Sequence, residues 1–286
     1  MTSNNPQPVD GAGMAGVDRS ADPGALACYL DAFSEQSLEM KIDSYTMLGI
    51  NGGDRVLDVG CGTGDDVLRM AGIVGIDLSE TMIDQARARA RESGLPVEFL
   101  QGSAYDLPFP DDSFDACRCE RVLQHLDEPL EAIREMARVV RPGGRVLLID
   151  TDSGAEMVDT SYPKIHERIQ ASQQVRRRTE PGDGWRGRQL RGLAHEAGLV
   201  DVVAEGLVPV LTTLVAATAI AHIDTWGDRA AEQSVISRHE ADTYLADLKD
   251  RDATGRFFAA APVFLVAGTV PAANDPEGED VDRKKA

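Results

Sequence analysis

Apolar residues along this chain gather in short runs, and longer stretches of helical spacing separate them. Val56, Leu57 and Val59 form the first run, and Gly60, Gly62 and Gly64 follow at once. A run this short reads as a buried strand. A brief helical stretch, a second run (Ile73, Val74, Ile76) and Asp77 complete the unit. Residues 79–90 put Met82, Ile83, Ala86 and Ala90 on one face, which predicts a helix capped by Ser79 and stopped at Gly94 and Pro96. Val97, Phe99 and Leu100 predict a third strand. Residues 115–120 predict a fourth, although Arg118 interrupts its apolar character. Residues 129–140 read as a helix, 141–144 as a turn and 145–150 as a fifth strand. Strands alternating with helices predict an α/β chain with a mostly parallel sheet covered on both faces.

The flanks are patterned differently. Residues 1–21 are rich in Gly, Asn, Pro and Ser, which predicts a disordered tail. Residues 22–50 read as two helices, placed where a lid over the strand ends would sit. Residues 51–152 hold the core pattern. Residues 153–270 predict substrate-side helices at about 161–178 and 187–197, a sixth strand at 200–210, a largely helical stretch at 214–248 and a last strand within 257–270. Residues 271–286 read as a mobile acidic tail with a basic end.

Charge narrows the partners. The chain has 286 residues, with 29 Lys and Arg against 48 Asp and Glu, a net charge of −19. Such a field repels nucleic acid and anionic membranes, so neither is expected as a partner. The most apolar long stretch, residues 207–223, is short for a membrane span and contains Pro209 and His222. The four cysteines match no zinc spacing and no C-x-x-C pair, so no metal is expected and reduced thiols are. The first residues have no basic start and no apolar core, so a cytoplasmic protein is expected. Whether it forms a homo-oligomer is left open.

The glycine turn points to a ligand. A strand, a glycine turn, a helix and a second strand ending in a carboxylate make a nucleotide-binding half-unit. Asp77 lies 19 residues after Asp58, close to the roughly 20 expected between fingerprint and ribose acid. A dinucleotide turn reads G-x-G-x-x-G and cradles a pyrophosphate. Here Gly60-Cys61-Gly62-Thr63-Gly64 is preceded by Asp58 and followed by Asp65 and Asp66. Acids there repel a pyrophosphate but suit an amino group and a sulfonium. The string VLDVGCGTG resembles motif I of the class I S-adenosylmethionine-dependent methyltransferases. DLPFPDDSFD and RPGGRVLLID resemble further segments of that family, of the ubiquinone and menaquinone type, in the right order. The resemblance implies a Rossmann-like seven-stranded sheet with the last strand antiparallel, an N-terminal helical lid and inserted substrate-side helices. It departs from the family in two places. Ser103 stands where an acid usually meets the adenine amino group, and only 13 residues separate Gly64 from Asp77, so the first helix must be short.

The resemblance implies S-adenosyl-L-methionine as cofactor. Asp58, Gly60, Cys61, Gly62 and Thr63 are expected around its amino-acid part, and Asp77 at the ribose. Leu78, Met82, Ser103 and Ala104 are expected near the adenine, and Cys119 and Glu120 near the sulfonium. His125, just past the fourth strand, is the leading candidate for a general base, since an unperturbed imidazole titrates near neutrality; a structural histidine is the alternative. His166, on the substrate-side helix, is a second candidate. Tyr29 is expected to face the substrate or to pack on the core, and Asp152 to orient a polar substrate. The implied reaction is methyl transfer to carbon or oxygen of a bulky small molecule, a natural product or quinone-like compound. Two alternatives are the same fold catalysing a non-methylating reaction such as cyclisation, and a nicotinamide oxidoreductase.

Overall fold

The computed structural model describes residues 38–70, 73–179 and 184–272. Seven strands form one sheet in the order β3-β2-β1-β4-β5-β10-β7. They are β1 (Val56–Val59), β2 (Ile73–Asp77), β3 (Glu98–Gln101), β4 (Phe114–Glu120), β5 (Val140–Thr151), β7 (Val200–Leu207) and β10 (Val263–Thr269). β1 pairs in parallel with β2 and β4, and β4 with β5. β10 runs antiparallel to both β5 and β7. This is the seven-stranded, mostly parallel sheet expected from the sequence.

Helices cover both faces. One face carries α4 (Pro129–Val139) and α6 (Arg186–Glu196), packed on Leu57, Val59, Cys117, Cys119, Val146 and Leu148. The other carries α1 (Leu38–Leu48), α2 (Asp65–Arg69) and α3 (Glu80–Ser93). α3 starts as predicted: Ser79 Oγ accepts from the Met82 N–H at 3.1 Å, and Gly94 ends it in the left-handed conformation. α2 is only five residues long. α1 packs on the same face beside this short helix, and its Met47 and Leu48 are buried with Val67, Met70, Ile73, Leu147 and Ile149.

Of three expectations about strand ends, one needs correction and two hold, each for a backbone reason. Arg141-Pro142-Gly143-Gly144 lies within the β5 span but loops out of the ladder with β4, as the expected turn does, and Gly143 has a φ of 80°. The register with β4 slips between Phe114 and Ala116, and the loop end is pinned by Gly143 N–H to Val270 O at 2.8 Å. The sixth strand does not run through to Val210, whereas the last strand, β10, falls within 257–270 as expected. Pro209 separates β7 from β8 (Val210–Leu211), and Pro262 separates β9 (Ala259–Ala260) from β10. Proline brings no ladder N–H, so a strand cannot run on unchanged through it. β6 (Met157–Val158), β9 and β8 then make a second sheet in the order β6-β9-β8, which repeats the β5-β10-β7 order of the strands they adjoin.

That small sheet carries a helical cap built from α5 (Pro163–Thr179), α7 (Leu214–Ala221), α8 (Trp226–Glu232) and α9 (Arg238–Ala253). Its own core gathers Ile169, Ala217, Ile223, Trp226, Tyr244, Leu248 and Phe257. α9 opens with a full capping box between Ser237 and Glu240. No helix among the described residues is long and apolar enough to cross a membrane.

Candidate active site

The carboxyl ends of β1, β2 and β4 converge on a cavity of about 170 Å³. At its floor β1 gives way to the glycine turn. Gly60, Gly62 and Gly64 have φ of 75°, 53° and 80°, a region glycine enters without steric cost. A Cβ on Gly60 would lie 2.1 Å from Val122 Cγ2, so the bare backbone also lets the segment after β4 close over the turn. The N–H groups of Gly60 and Cys61 both bond to Ile76 O, at 2.7 and 3.0 Å, tying the turn to β2. Gly62 N–H donates to one oxygen of Asp77 and Ser79 N–H to the other, each at 2.9 Å. A carboxylate offers about four acceptor positions. These two bonds orient Asp77 at the end of β2, beside the glycine turn.

Beside the turn lies a buried charge cluster. Strand alternation puts Asp58 of β1 and Arg118 and Glu120 of β4 on the α1 side of the sheet. Arg118 is 1% exposed, and its Nη1 lies 3.3 Å from Asp58 and 3.0 Å from Asp66. Its Nη2 meets Glu120 at 2.5 Å. α1 adds Lys41 and Tyr45, one turn apart, and both donate to Asp66 at 2.5 Å. Burial pushes Asp58 up to about 7, against the pull of Arg118. Burial acts upward on Asp66 too, but Arg118 and Lys41 together hold it well below the usual carboxylate range. Five acids (Asp58, Asp65, Asp66, Asp77, Glu120) and three bases (Lys41, Arg118, Arg121) line the cavity. That excess of carboxylate favours a ligand bearing an ammonium and a sulfonium and disfavours a diphosphate. The charge of the lining therefore fits S-adenosylmethionine.

One wall of the cavity is made by the segment after β4. Arg121 turns it with a φ of 58°, and Leu123–His125 form one 3-10 turn. Val122, His125 and Leu126 line the cavity there, and Tyr105 stands near them on the β3–β4 loop. His125 Nε2 is buried without a protein partner. Burial, with a smaller push from Arg121, lowers the imidazole from 6.5 to about 4, so the ring is neutral at physiological pH.

Of the residues expected at the site, Asp58, Gly60, Cys61, Gly62, Thr63, Asp77, Leu78, Met82, Ser103, Ala104, Glu120 and His125 line this cavity. Thr63 Oγ1 is engaged by Arg89 at 2.9 Å, and Ser103 Oγ accepts from the Tyr105 N–H at 3.2 Å. Three residues are elsewhere. Cys119 is fully buried among Leu57, Val59 and Leu123, because neighbours of Arg118 and Glu120 on a strand must face the other way. His166 lies in the cap core, where Nδ1 meets the Tyr244 hydroxyl at 2.9 Å and the ring stacks on Tyr244 and Trp226. Asp152 is buried in a two-point pair with Arg188. Tyr29 is outside the described residues, as is the side chain of each of Arg176, Arg177 and Arg178. Lys41 and Arg118 were not anticipated in the cavity lining, nor Tyr45 behind it on Asp66. A lone arginine in an otherwise apolar central strand was the available signal.

Residues 57–148 match the methyltransferase domain family. The chain is 32% identical over 260 residues to an uncharacterized 37.1 kDa protein of transposon TN4556 in Streptomyces fradiae, covering 87% of this chain and 72% of that one. It is 40% identical over 111 residues to the 27-O-demethylrifamycin SV methyltransferase of Amycolatopsis mediterranei, covering 36% of this chain and 41% of that one. Among solved structures, the YcgJ protein of Bacillus subtilis superposes with a TM-score of 0.54 at 21% identity, over 83% of this chain and 99% of its own.

Proposed function

The chain belongs to the class I S-adenosylmethionine-dependent methyltransferases, and from that premise we propose that it methylates carbon or oxygen of a bulky, largely apolar small molecule, a natural product or quinone-like compound. The observation that carries the reading is the pairing of a carboxylate-rich cofactor site with an apolar mouth at Val122 and Leu126. The name of the rifamycin relative supports an elaborate natural-product acceptor, although only the shared segment supports it. The cap, with a core of its own beyond the sheet, supports a large acceptor. The net charge of −19 supports a neutral or cationic acceptor rather than a nucleic acid. Cys61, Cys117 and Cys119 are free, which supports a cytoplasmic setting.

S-adenosylmethionine supplies an activated methyl group for direct displacement. The chain's task is then alignment, because a well-oriented displacement takes most of its rate from proximity. Asp77, fixed by two N–H donors, holds the ribose. Gly60 and Gly62 let backbone approach the amino-acid end. Asp58 and its neighbours hold the cationic end. His125 accepts a hydrogen bond from the acceptor through its unpartnered Nε2 and takes its proton as the nucleophile develops.

His125→Ala should lower kcat by about a hundredfold, near the low end for general-base groups because the ring is weakly basic, while S-adenosylhomocysteine still binds. Because the imidazole titrates near 4, wild-type turnover should not lose this group between pH 5 and 8; the loss comes only as the ring charges below that window. Unchanged kcat in the variant would return His125 to a structural role. The function itself is tested with methyl-labelled S-adenosylmethionine and a panel of naphthohydroquinones and phenolic polyketides. The expected result is labelled product with one methyl replacing one hydrogen. An acceptor converted with no change of mass would overturn the reading.

A further inference from the structure

His125 sits on a turn whose main chain is held from two sides. The Gln124 N–H, just before it, donates to Asp150 Oδ2 at 2.9 Å. The carbonyls of Leu123 and Leu126, on either side, both accept from Arg186: Nε to Leu123 O at 3.1 Å and Nη2 to Leu126 O at 3.2 Å. The third arm, Nη1, is steadied by Gln189 Oε1 at 2.8 Å. Arg186 is 7% exposed and Asp150 fully buried, so these bonds form away from competing water. A planar guanidinium reaches two carbonyls from two separate nitrogens in a fixed fork, whereas a lysine ammonium offers its donors from one freely rotating atom.

The placement of Arg186 is itself built. It is the first residue of α6, and α6 comes close to the end of β5 because the next residue is Gly187. A Cβ there would lie 3.0 Å from Asp150 O, Asp152 N and Phe264 Cδ2. One helical step on, Arg188 pairs with Asp152. The first turn of α6 therefore braces the ends of β5 and the segment after β4 together.

We infer that Arg186 is a positioning residue, whose guanidinium clamps the main chain on both sides of His125 and so fixes the direction from which the imidazole meets the methyl acceptor. The inference rests on the proposed role of His125 at the acceptor. It adds that a side chain on α6, outside the cavity lining, sets that geometry.

The test uses the full chain with Arg186→Lys, which keeps the charge and gives up the fork. NMR of the His125 ring carbons and protons is the readout independent of turnover. The ring shares its cavity with Arg121 of its own turn, Arg118 and Glu120 of β4, Asp77 of β2 and Lys41 of α1, all unaltered in the variant. The clamp predicts displaced His125 ring signals and a titration midpoint raised from about 4 toward the ordinary 6.5, as the loosened turn lets water reach the ring. It also predicts kcat at least tenfold lower on the best panel acceptor, with the affinity for S-adenosylhomocysteine within threefold of wild type. Arg188→Lys, on the same helical turn but in contact with Asp152 instead, should leave the ring signals in place. Gln189→Met removes only the brace on the guanidinium and should move the signals less, in the same direction; it keeps the test open if Arg186→Lys does not fold. Ring signals and midpoint unchanged in Arg186→Lys would overturn the clamp while leaving the proposed function standing. Displaced signals with unchanged kcat would overturn the role of His125 and the inference with it.

Discussion

Asp77→Ala should weaken binding of S-adenosylmethionine and S-adenosylhomocysteine by about a hundredfold, or ~3 kcal/mol, as measured by titration calorimetry. The proposed pair of charge-assisted bonds to a ribose would be lost in a half-buried setting, and each such bond contributes roughly 1.5–3 kcal/mol. Part of the loss is indirect. Asp77 also accepts the N–H groups of Gly62 and Ser79, so its removal loosens the glycine turn and the start of α3. Asp77→Asn separates the two effects. It keeps one acceptor oxygen for the turn but no charge, and should lose less affinity than alanine with little change in melting. Affinity unchanged in both variants would remove Asp77 from the cofactor site.

Arg118→Ala should be the most destabilising single change in the described chain, at about 3–5 kcal/mol. Arg118 is 1% exposed and touches three carboxylates: Asp58, Asp66 and Glu120. Without it those acids face one another across a buried space with Lys41 as the remaining close cation. Breaking a buried ion pair from one side costs far more than the pair contributes, because uncompensated charge stays behind. For a chain of this size the melting midpoint should fall by about 10 °C. The deficit should shrink on acidification. Asp58 already titrates near 7, pushed up by burial, and without Arg118 it holds its proton more firmly still. As pH falls through that range the variant's acids neutralise and their repulsion fades, so the gap to wild type closes. A second change, Asp58→Asn, should restore part of the stability above neutral pH, where Asp58 of the variant is ionised. An Arg118→Ala protein that melts with wild type at every pH would show that the cluster does not hold this part of the fold.

The glycine turn and Asp77 were legible because they are local. Positive φ at three alternate positions needs glycine whatever the rest of the chain does, and a carboxylate at a strand end needs only its own strand. The charge cluster was not legible. It draws Lys41 from α1, Asp58 from β1, Asp66 from α2 and Arg118 from β4, and only the β1–β4 pairing brings Val59 opposite Cys119 and Asp58 opposite Arg118. Cys119 was a parity matter visible in the sequence: if Glu120 faces the ligand, its neighbour does not. Pro209 and Pro262 were equally visible, and they mark where the large sheet stops and the small one begins. His166 and Asp152 were read from position along the chain, whereas Tyr244 and Arg188, 78 and 36 residues away, decide what they do.

Calorimetry of the wild-type chain with S-adenosylhomocysteine and, separately, with NAD weighs the carboxylate-lined turn most directly. A single saturating S-adenosylhomocysteine site and no heat from NAD is the expected pair of results. Saturable NAD binding with no response to S-adenosylhomocysteine would contradict it.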